Sequence, residues 1–244
     1  MNIIRKTGTH NTTLATGRKI EYIAIHYTAG ITSIRGSALN TAWYFAGENA
    51  QGSADFIVDD ESIVQYNPDI DNRYCWAVGG KYNTGGASLF GKATNKNTVS
   101  IEICSTNKTH RVPYANDPSW EFTDASVNKA VELTLYLMEQ YNIPADHVVR
   151  HYDISGKWCP GIIGWNEDSG DASKWHKFKE RLEEGESVKR YNTMSEIPDW
   201  AQPAVKKLIL AGRLNGKGAP RDSQGYPTDL DLSEDMVRLI VMLG

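Results

Sequence analysis

Residues 19–30, KIEYIAIHYTAG, predict the first long strand of the fold and place a histidine near its carboxyl end. Successive side chains of a strand point to opposite faces, so His26 shares a face with Ala24. A helix is predicted at about 38–48, with Ser37 as its N-cap. Strands and helices then alternate along the chain, which favours an α/β fold with a mixed central β-sheet flanked by helices.

Three later segments extend this alternation. Residues 98–104, TVSIEIC, predict a strand with a serine and a glutamate on the face opposite its valine and isoleucines. Residues 123–142 predict a helix, because apolar side chains recur every three or four positions and either Thr123 or Asp124 can cap it. Residues 147–153, HVVRHYD, predict a short strand that leads into a loop.

The composition excludes several classes of function. The chain has 244 residues and a net charge of −4, with lysines and arginines scattered, so we expect no nucleic-acid partner. No apolar run is long enough to cross a bilayer, so we expect no membrane insertion. The N-terminal segment lacks the apolar stretch of a secretory signal. The three cysteines, Cys75, Cys104 and Cys159, do not suggest a disulfide framework.

Three residues are potential ligands of a metal ion: His26, His151 and Cys159. Zinc binds imidazole nitrogen and thiolate sulfur, and three protein ligands leave a fourth position for water. Each residue also has an ordinary interpretation, since a strand histidine can make a simple hydrogen bond and a loop cysteine can have no role. A catalytic thiolate at Cys159, activated by a histidine, is a further alternative. Sequence spacing alone does not decide between these interpretations.

Five motifs occur in an order that carries a family resemblance. They are IAIHYTAG, SADFIVDD, CWAVGG, NTVSIEIC and HVVRHYDISGKWCPG. Together they resemble the type 2 family of N-acetylmuramoyl-L-alanine amidases, over about residues 18–185. The last motif is the most specific, and it contains, in order, His151, Asp153, Lys157, Cys159, Pro160 and Gly161.

The resemblance implies a zinc ion bound by His26, His151 and Cys159, in a groove over a mixed sheet. It implies hydrolysis of the amide bond between the lactyl group of N-acetylmuramic acid and L-alanine in peptidoglycan. The family includes amidase-type lysozymes of bacteriophages and the peptidoglycan recognition proteins. A phage or prophage endolysin, held in the host cytoplasm until its release to the cell wall, fits the absence of a secretory signal.

Two further residues are predicted to take part in catalysis. Glu102 lies where many members of the family carry an acidic residue near the metal, and a carboxylate there can transfer protons. Lys157 matches the lysine of the last motif, and its ammonium can stabilise a developing oxyanion. Some members carry a catalytic tyrosine where this chain has Ala54, so we assign the proton transfer to Glu102. A solvated charge is the alternative for both residues.

Other departures from the family pattern concern the surroundings of the metal. Asp55-Phe56 stands where many members have His-Tyr or His-Phe, and Ala77 follows Trp76 where a histidine is common. These differences affect the contacts around the site and the substrate preference. Aromatic side chains are candidates to line the groove, although core positions are equally plausible for them: Trp43, Tyr44, Trp76, Tyr82 and Trp158.

The composition changes near residue 188, which divides the chain into a catalytic domain, 1–188, and a helical module, 189–244. The module predicts one helix from about Trp200 to Ala211, followed by Gly212, and a second from Ser233. We expect it to bind the cell wall or to form a homo-oligomer. A helical hairpin that simply packs on the catalytic domain is the alternative.

The sequence therefore predicts a zinc-dependent peptidoglycan amidase. A second hypothesis is a peptidoglycan-binding receptor that does not cut its ligand, because some family members lose the cysteine and retain binding. The presence of Cys159, Lys157 and Glu102 favours the enzyme.

Overall fold

The structure is a computed structural model that describes residues 1–29, 37–79, 87–107, 114–115, 117–167, 170–187, 190–218 and 221–243. The chain divides into two compact units, Met1–Glu183 and Glu184–Gly244. The strands are β1 (Ile3–Arg5), β2 (Thr12–Leu14), β3 (Tyr22–Tyr27), β4 (Phe56–Val58), β5 (Ile63–Gln65), β6 (Arg73–Cys75), β7 (Thr98–Ile103), β8 (Val148–Arg150), β9 (Arg190–Tyr191) and β10 (Leu232–Ser233). The helices are α1 (Ser37–Phe45), α2 (Asp124–Tyr141), α3 (His151–Ser155), α4 (Ser173–Ser187), α5 (Gln202–Leu210) and α6 (Glu234–Leu243).

The first unit contains a six-stranded sheet in the order β1-β5-β4-β7-β3-β8. Strands β4, β7, β3 and β8 are mutually parallel, whereas β5 is antiparallel to β4 and pairs in parallel with β1. This arrangement confirms the predicted mixed central sheet. Because β7, β3 and β8 are adjacent and parallel, their carboxyl ends meet at one edge of the sheet, where the predicted ligands and Glu102 lie.

The two faces of β3 have different environments, as its alternating pattern predicts. Ile23 and Ile25 are fully buried in the main core, where they pack with residues of β7 and α2. Ala24 belongs to a separate apolar cluster that also contains Val149 and Ile154. His26 therefore points to the face opposite the main core. Fully burying an aliphatic side chain contributes about 1.5–3 kcal/mol, so the main core fixes the orientation of the strand.

The ends of the helices follow local capping chemistry. Thr123 is the N-cap of α2, since its side chain accepts a hydrogen bond from Ser126 N at 3.1 Å, which decides between the two predicted caps. The prediction of Ser37 as an N-cap is wrong, because Ser37 is the first residue of α1. Asp59 supplies an acceptor there instead, as its carboxylate accepts the Ala38 N–H at 3.0 Å.

The second unit contains the two predicted helices, α5 and α6, and a short antiparallel pair, β9 and β10, that the sequence did not predict. Gly212 follows α5 with a φ of 67°, a conformation that glycine adopts without strain. Ser233 caps α6 and accepts the Met236 N–H at 3.2 Å. Leu232 is buried in the apolar core of this unit. No helix among the described residues is both long and apolar enough to span a bilayer.

Candidate active site

The three predicted metal ligands converge at the carboxyl edge of the sheet. His26 lies on β3, His151 is the first residue of α3 directly after β8, and Cys159 lies in the loop after α3. Their potential ligand atoms all lie within 4.8 Å of one another, and all three residues are buried. Strand pairing brings the histidines together, because Ile25 of β3 is in register with Arg150 of β8.

A hydrogen-bonded turn explains the eight-residue spacing of His151 and Cys159. The Arg150 backbone N–H donates to Asp153 Oδ2 at 2.8 Å, and the Arg150 guanidinium pairs with Asp153 Oδ1 at 2.6 Å, which fixes the start of α3. Gly156 ends the helix with a φ of 73°. The Tyr152 N–H then donates to the Cys159 carbonyl at 2.9 Å, which folds the loop back toward His151.

Close packing explains the glycine that follows this loop. A Cβ on Gly161 would lie 2.7 Å from Tyr27 Cζ, well inside normal contact. The Tyr27 hydroxyl donates to the Ala115 carbonyl at 2.7 Å, so the ring cannot easily move away. Gly161 therefore allows the loop that carries Cys159 to approach β3.

The imidazoles lie in a buried, electropositive environment. Burial lowers the pKa of His26 well below its usual value, and so do repulsion between its protonated form and that of His151 and the charge of Lys157. Burial and Lys157 lower the pKa of His151 to about 3. Both rings are therefore neutral at physiological pH, which is the form that binds metals. Burial, together with the Glu102 charge, raises the pKa of Cys159 to about 12.

The donor set fits zinc. Cys159 Sγ lies 3.7 Å from His26 Nδ1. A nitrogen and a sulfur that bind one tetrahedral zinc ion lie about 3.6 Å apart, given typical Zn–N and Zn–S distances. His151 Nδ1 is buried and has no hydrogen-bond partner within the described part of the chain. Two neutral imidazoles and one thiolate are a donor set that zinc binds well.

Glu102 lies beside the ligand cluster because of strand register. Strands β3 and β7 are parallel neighbours, and His26 is paired with Glu102, so the two side chains point to the same face. Glu102 Oε2 is buried and, among the described residues, has no hydrogen-bond partner. Burial raises the pKa of Glu102 to about 8, although the charge of Lys157 acts in the opposite direction. Such a carboxyl group can both accept and donate a proton near neutral pH.

Lys157 is exposed at the groove and supplies positive charge to the cluster. Its ammonium lowers the pKa of the two histidines, of Glu102 and of Cys159. The structure therefore places Glu102 and Lys157 around the same three side chains, and their catalytic roles stay predictions.

The groove over the cluster has a volume of about 700 Å³. Of the aromatic candidates, Tyr44, Trp76 and Trp158 line it. Trp43 is 61% exposed and is not among the described residues that line the groove; Lys6 Nζ lies 3.8 Å from the centre of its ring. Tyr82 lies outside the described residues.

Some hydrogen bonds that hold the groove were not predicted from the sequence. The Trp76 indole N–H donates to Thr13 Oγ1 at 2.8 Å, and the Ser53 N–H donates to the Trp76 carbonyl at 3.2 Å. These bonds join loops that are far apart in the sequence, so neither periodicity nor local spacing indicates them. Ala54, which replaces the tyrosine of some relatives, is fully buried.

Comparison with known proteins agrees with this geometry. The N-acetylmuramoyl-L-alanine amidase family model matches residues 16–162, a range that contains all five predicted site residues. The chain belongs to this family. One relative is the N-acetylmuramoyl-L-alanine amidase XlyB of Bacillus subtilis (strain 168), which is 28% identical over 184 residues, covering 74% of this chain and 49% of that protein.

A second amidase from the same organism, CwlH, is 33% identical over 147 residues, covering 59% of this chain and 50% of its own length. The chain thus spans about half the length of the curated relatives that it matches. Among solved structures, PlyL and the catalytic domain of XlyA each have a TM-score of 0.53 and 25% identity. Each covers 75% of this chain, and the matches include 97% and 99% of those chains. The α/β architecture is therefore that of the family's catalytic domains.

Proposed function

We propose that the chain is a zinc-dependent hydrolase that cleaves the amide bond between N-acetylmuramic acid and L-alanine in peptidoglycan and so causes lysis of the bacterial cell wall. The observation that carries the proposal is the convergence of His26, His151 and Cys159 in a groove that also contains Glu102 and Lys157. Family membership supports the choice of the bond that is cleaved, and the donor set supports zinc as the metal.

His26, His151 and Cys159 would hold the zinc ion. When bound, zinc acts as a Lewis acid that polarises a carbonyl group and makes water more acidic. The neutral imidazoles need lose no proton to act as ligands, whereas Cys159 must lose its thiol proton. Zinc affinity should therefore weaken as the pH falls.

Glu102 acts as the proton carrier. Its carboxylate accepts a proton from the attacking water as the new carbon–oxygen bond forms. It then donates that proton to the amide nitrogen as the carbon–nitrogen bond breaks, so L-alanine leaves as a free amine. Glu102 Oε2 supports this role, because a buried carboxylate oxygen that has no hydrogen-bond partner in the described part of the chain can interact with substrate and water.

Lys157 stabilises negative charge on the substrate. As water adds to the carbonyl carbon, its oxygen becomes an oxyanion, and a nearby ammonium lowers the energy of that state. The chain carries a net charge of −4, so attraction of anionic peptidoglycan must come from local groups of this kind.

The properties of Cys159 do not favour the alternative of a cysteine nucleophile. With a pKa of about 12, its thiol remains protonated at neutral pH unless a cation is bound. Its neighbour His26 has a strongly lowered pKa and is therefore a weak base. A thiolate–imidazolium pair needs the opposite arrangement.

The biological setting and the second unit are parts of the same proposal. The family resemblance supports an endolysin that stays in the host cytoplasm until its release, which fractionation of cells before and during lysis would test. Exposed apolar side chains on the second unit, Leu210 and Met242, support wall binding or self-association. Sedimentation of the full chain with and without purified sacculi separates these two roles.

Digestion of purified peptidoglycan tests the activity. The full chain should release stem peptides with a free L-alanine amine, and chelator should abolish this release until zinc is added back. Retained binding of muropeptides without release would instead support a receptor. Full activity of a preparation shown by metal analysis to contain no zinc would contradict the proposed mechanism.

A further inference from the structure

The segment Trp76–Gly79, here called the groove wall, is fixed at its first residue by three hydrogen bonds. The Trp76 indole N–H donates to Thr13 Oγ1 at 2.8 Å, and its backbone N–H donates to the Asn11 carbonyl at 3.0 Å. The Trp76 carbonyl accepts the Ser53 N–H at 3.2 Å. Trp76 is nevertheless 48% exposed and lines the groove, so its indole offers an apolar surface there in a fixed orientation.

The rest of the groove wall is held by one side chain. Asn95 Oδ1 accepts the backbone N–H groups of Ala77 at 3.0 Å, Val78 at 2.7 Å and Gly79 at 3.1 Å. Three successive amides that share one acceptor define the path of the backbone, because moving any one of them breaks a bond. Asn95 lies 16 residues beyond Gly79, so the local sequence does not indicate this contact.

The groove wall also packs on β3, which carries His26, and on β8, which directly precedes His151. The Val78 side chain is 4% exposed and lies in an apolar cluster with Ala24 and Val149. Ala24 precedes His26 by two residues on β3, and Val149 precedes His151 by two residues. Asn95 and Val78 therefore set the position of the wall relative to the metal ligands.

We propose that Asn95 is a positioning residue that holds the groove wall in place for binding the sugar–peptide part of the substrate. The inference rests on the proposed function for the identity of the ligand. The three hydrogen bonds of Asn95 Oδ1 hold the backbone of the groove wall. Asn95 therefore acts on the wall and not directly on His26, Glu102 or Lys157. Its loss should therefore weaken substrate binding and leave the chemical step largely intact.

Two substitutions at Asn95 separate its acceptor from its volume. Asn95→Leu keeps the size of the side chain and removes the acceptor, whereas Asn95→Asp keeps an acceptor oxygen. We expect Asn95→Leu to raise KM for a soluble disaccharide–tetrapeptide fragment of peptidoglycan about tenfold and to change kcat less than about twofold. Asn95→Asp should restore KM to near the unsubstituted value.

Gly79→Ala provides an independent test of the same contact. A Cβ on Gly79 would lie 2.6 Å from Asn95 Nδ2. Because three hydrogen bonds hold the Asn95 amide, it cannot rotate away without losing them. We expect Gly79→Ala to raise KM as Asn95→Leu does.

Asn97→Leu is the matched control. Asn97 and Asn95 are both half-buried and lie in the same turn. The Asn97 Oδ1 accepts the Thr94 N–H at 2.7 Å, whereas the three bonds to the groove wall come from Asn95. A general loss of stability should affect both leucine variants, whereas loss of the wall should affect only Asn95→Leu.

Two readouts do not depend on catalysis. In the presence of chelator, the full chain with Asn95→Leu should bind the fragment about tenfold more weakly than the unsubstituted chain does. Hydrogen exchange at the amides of Ala77, Val78 and Gly79 should be faster in this variant and unchanged in Asn97→Leu.

The outcomes distinguish this inference from the proposed function. Unchanged binding and exchange in Asn95→Leu would overturn the inference while the amidase proposal stands, and so would an equal loss in Asn97→Leu or a fall in kcat alone. A chain that binds the fragment without cutting it would refute the amidase, and binding and exchange would still decide the role of Asn95. A chain that does not bind the fragment would overturn both.

Discussion

The groove of the first unit and the core of the second unit are built from different kinds of side chain. In the first unit, His26 Nε2, His151 Nδ1 and Glu102 Oε2 are buried without hydrogen-bond partners among the described residues, and all three residues line one groove. In the second unit, the core is a cluster of apolar side chains, and Asp231 forms ion pairs with Arg190 and Lys217. An unsatisfied buried polar group costs about 1–3 kcal/mol. The buried polar atoms of the groove therefore carry an energetic cost that a bound ligand can offset, whereas the apolar cluster of the second unit stabilises that unit by burial.

The largest effect should follow the loss of a metal ligand. Cys159→Ser should remove tightly bound zinc and lower the hydrolysis rate by at least about a thousandfold, because zinc activates both water and carbonyl. Metal analysis and rate measurements on the same preparation check this. Near-normal hydrolysis by a zinc-free Cys159→Ser protein would refute the proposed role of Cys159 as a zinc ligand.

Glu102→Gln should give the next largest effect. The amide has the size of the carboxyl group but cannot accept the proton, so we expect kcat to fall by about 10²–10⁴-fold with zinc retained. Stability should stay the same or rise, because the neutral amide replaces a buried carboxyl group whose Oε2 has no hydrogen-bond partner among the described residues. Denaturant titrations measure the stability, and simultaneous loss of zinc would show that Glu102 supports the ligands instead.

A core substitution in the second unit should lower stability and leave the hydrolysis rate unchanged. Leu232 is 3% exposed, and Leu232→Ala should lower the free energy of unfolding by about 2–5 kcal/mol. Hydrolysis of a soluble fragment should be unchanged, because the five site residues lie in the first unit. Leu232→Met is the control, since it retains most of the apolar volume. A large fall in kcat at a temperature where the protein stays folded would contradict this separation.

The smallest effect concerns the ion pairs of Asp231. Burial alone would raise the pKa of Asp231, but hydrogen bonds and charge interactions with Arg190 and Lys217 bring it below its usual value. The carboxylate therefore stabilises the fold above the pKa of an unfolded aspartate, about 3.9, and this contribution disappears as the pH falls through the lower folded value.

Asp231→Asn isolates that charge. Asp231 has a φ of 51°, which asparagine also tolerates, so the backbone should not change. We expect a loss of at most about 1 kcal/mol at pH 7 that vanishes once the pH falls below the lowered folded-state pKa of Asp231. A loss that is independent of pH would show that the substitution acts through the backbone.

The sequence predicted the elements that carry the chemistry because their signals are local. Alternation placed His26 and Glu102 on strand faces opposite the main core, and α2 has both its apolar stripe and its Thr123 cap within one segment. The last motif was predicted as a short strand that leads into a loop, whereas the structure ends β8 at Arg150 and begins the five-residue helix α3 at His151. The expectation that His151 and Cys159 meet came from the family resemblance.

Other features depend on contacts that no local pattern encodes. Asn95 bonds the groove wall, and Thr13 bonds Trp76 across 63 residues. The pairing of β9 with β10 joins two-residue segments too short to have a periodicity. Ser37 was predicted as a cap because of its residue type, but the acceptor at the start of α1 comes from Asp59 of a distant turn.

Hydrolysis of a defined muramoyl peptide in water enriched in ¹⁸O tests the central claim most directly. Cleavage at the proposed amide bond adds one ¹⁸O atom to the lactyl carboxylate of N-acetylmuramic acid and releases L-alanine with an unlabelled free amine. We predict these two products by mass spectrometry, and we predict their loss with chelator and their return with zinc. A new reducing sugar end, or ¹⁸O at a carboxylate within the peptide, would contradict the account.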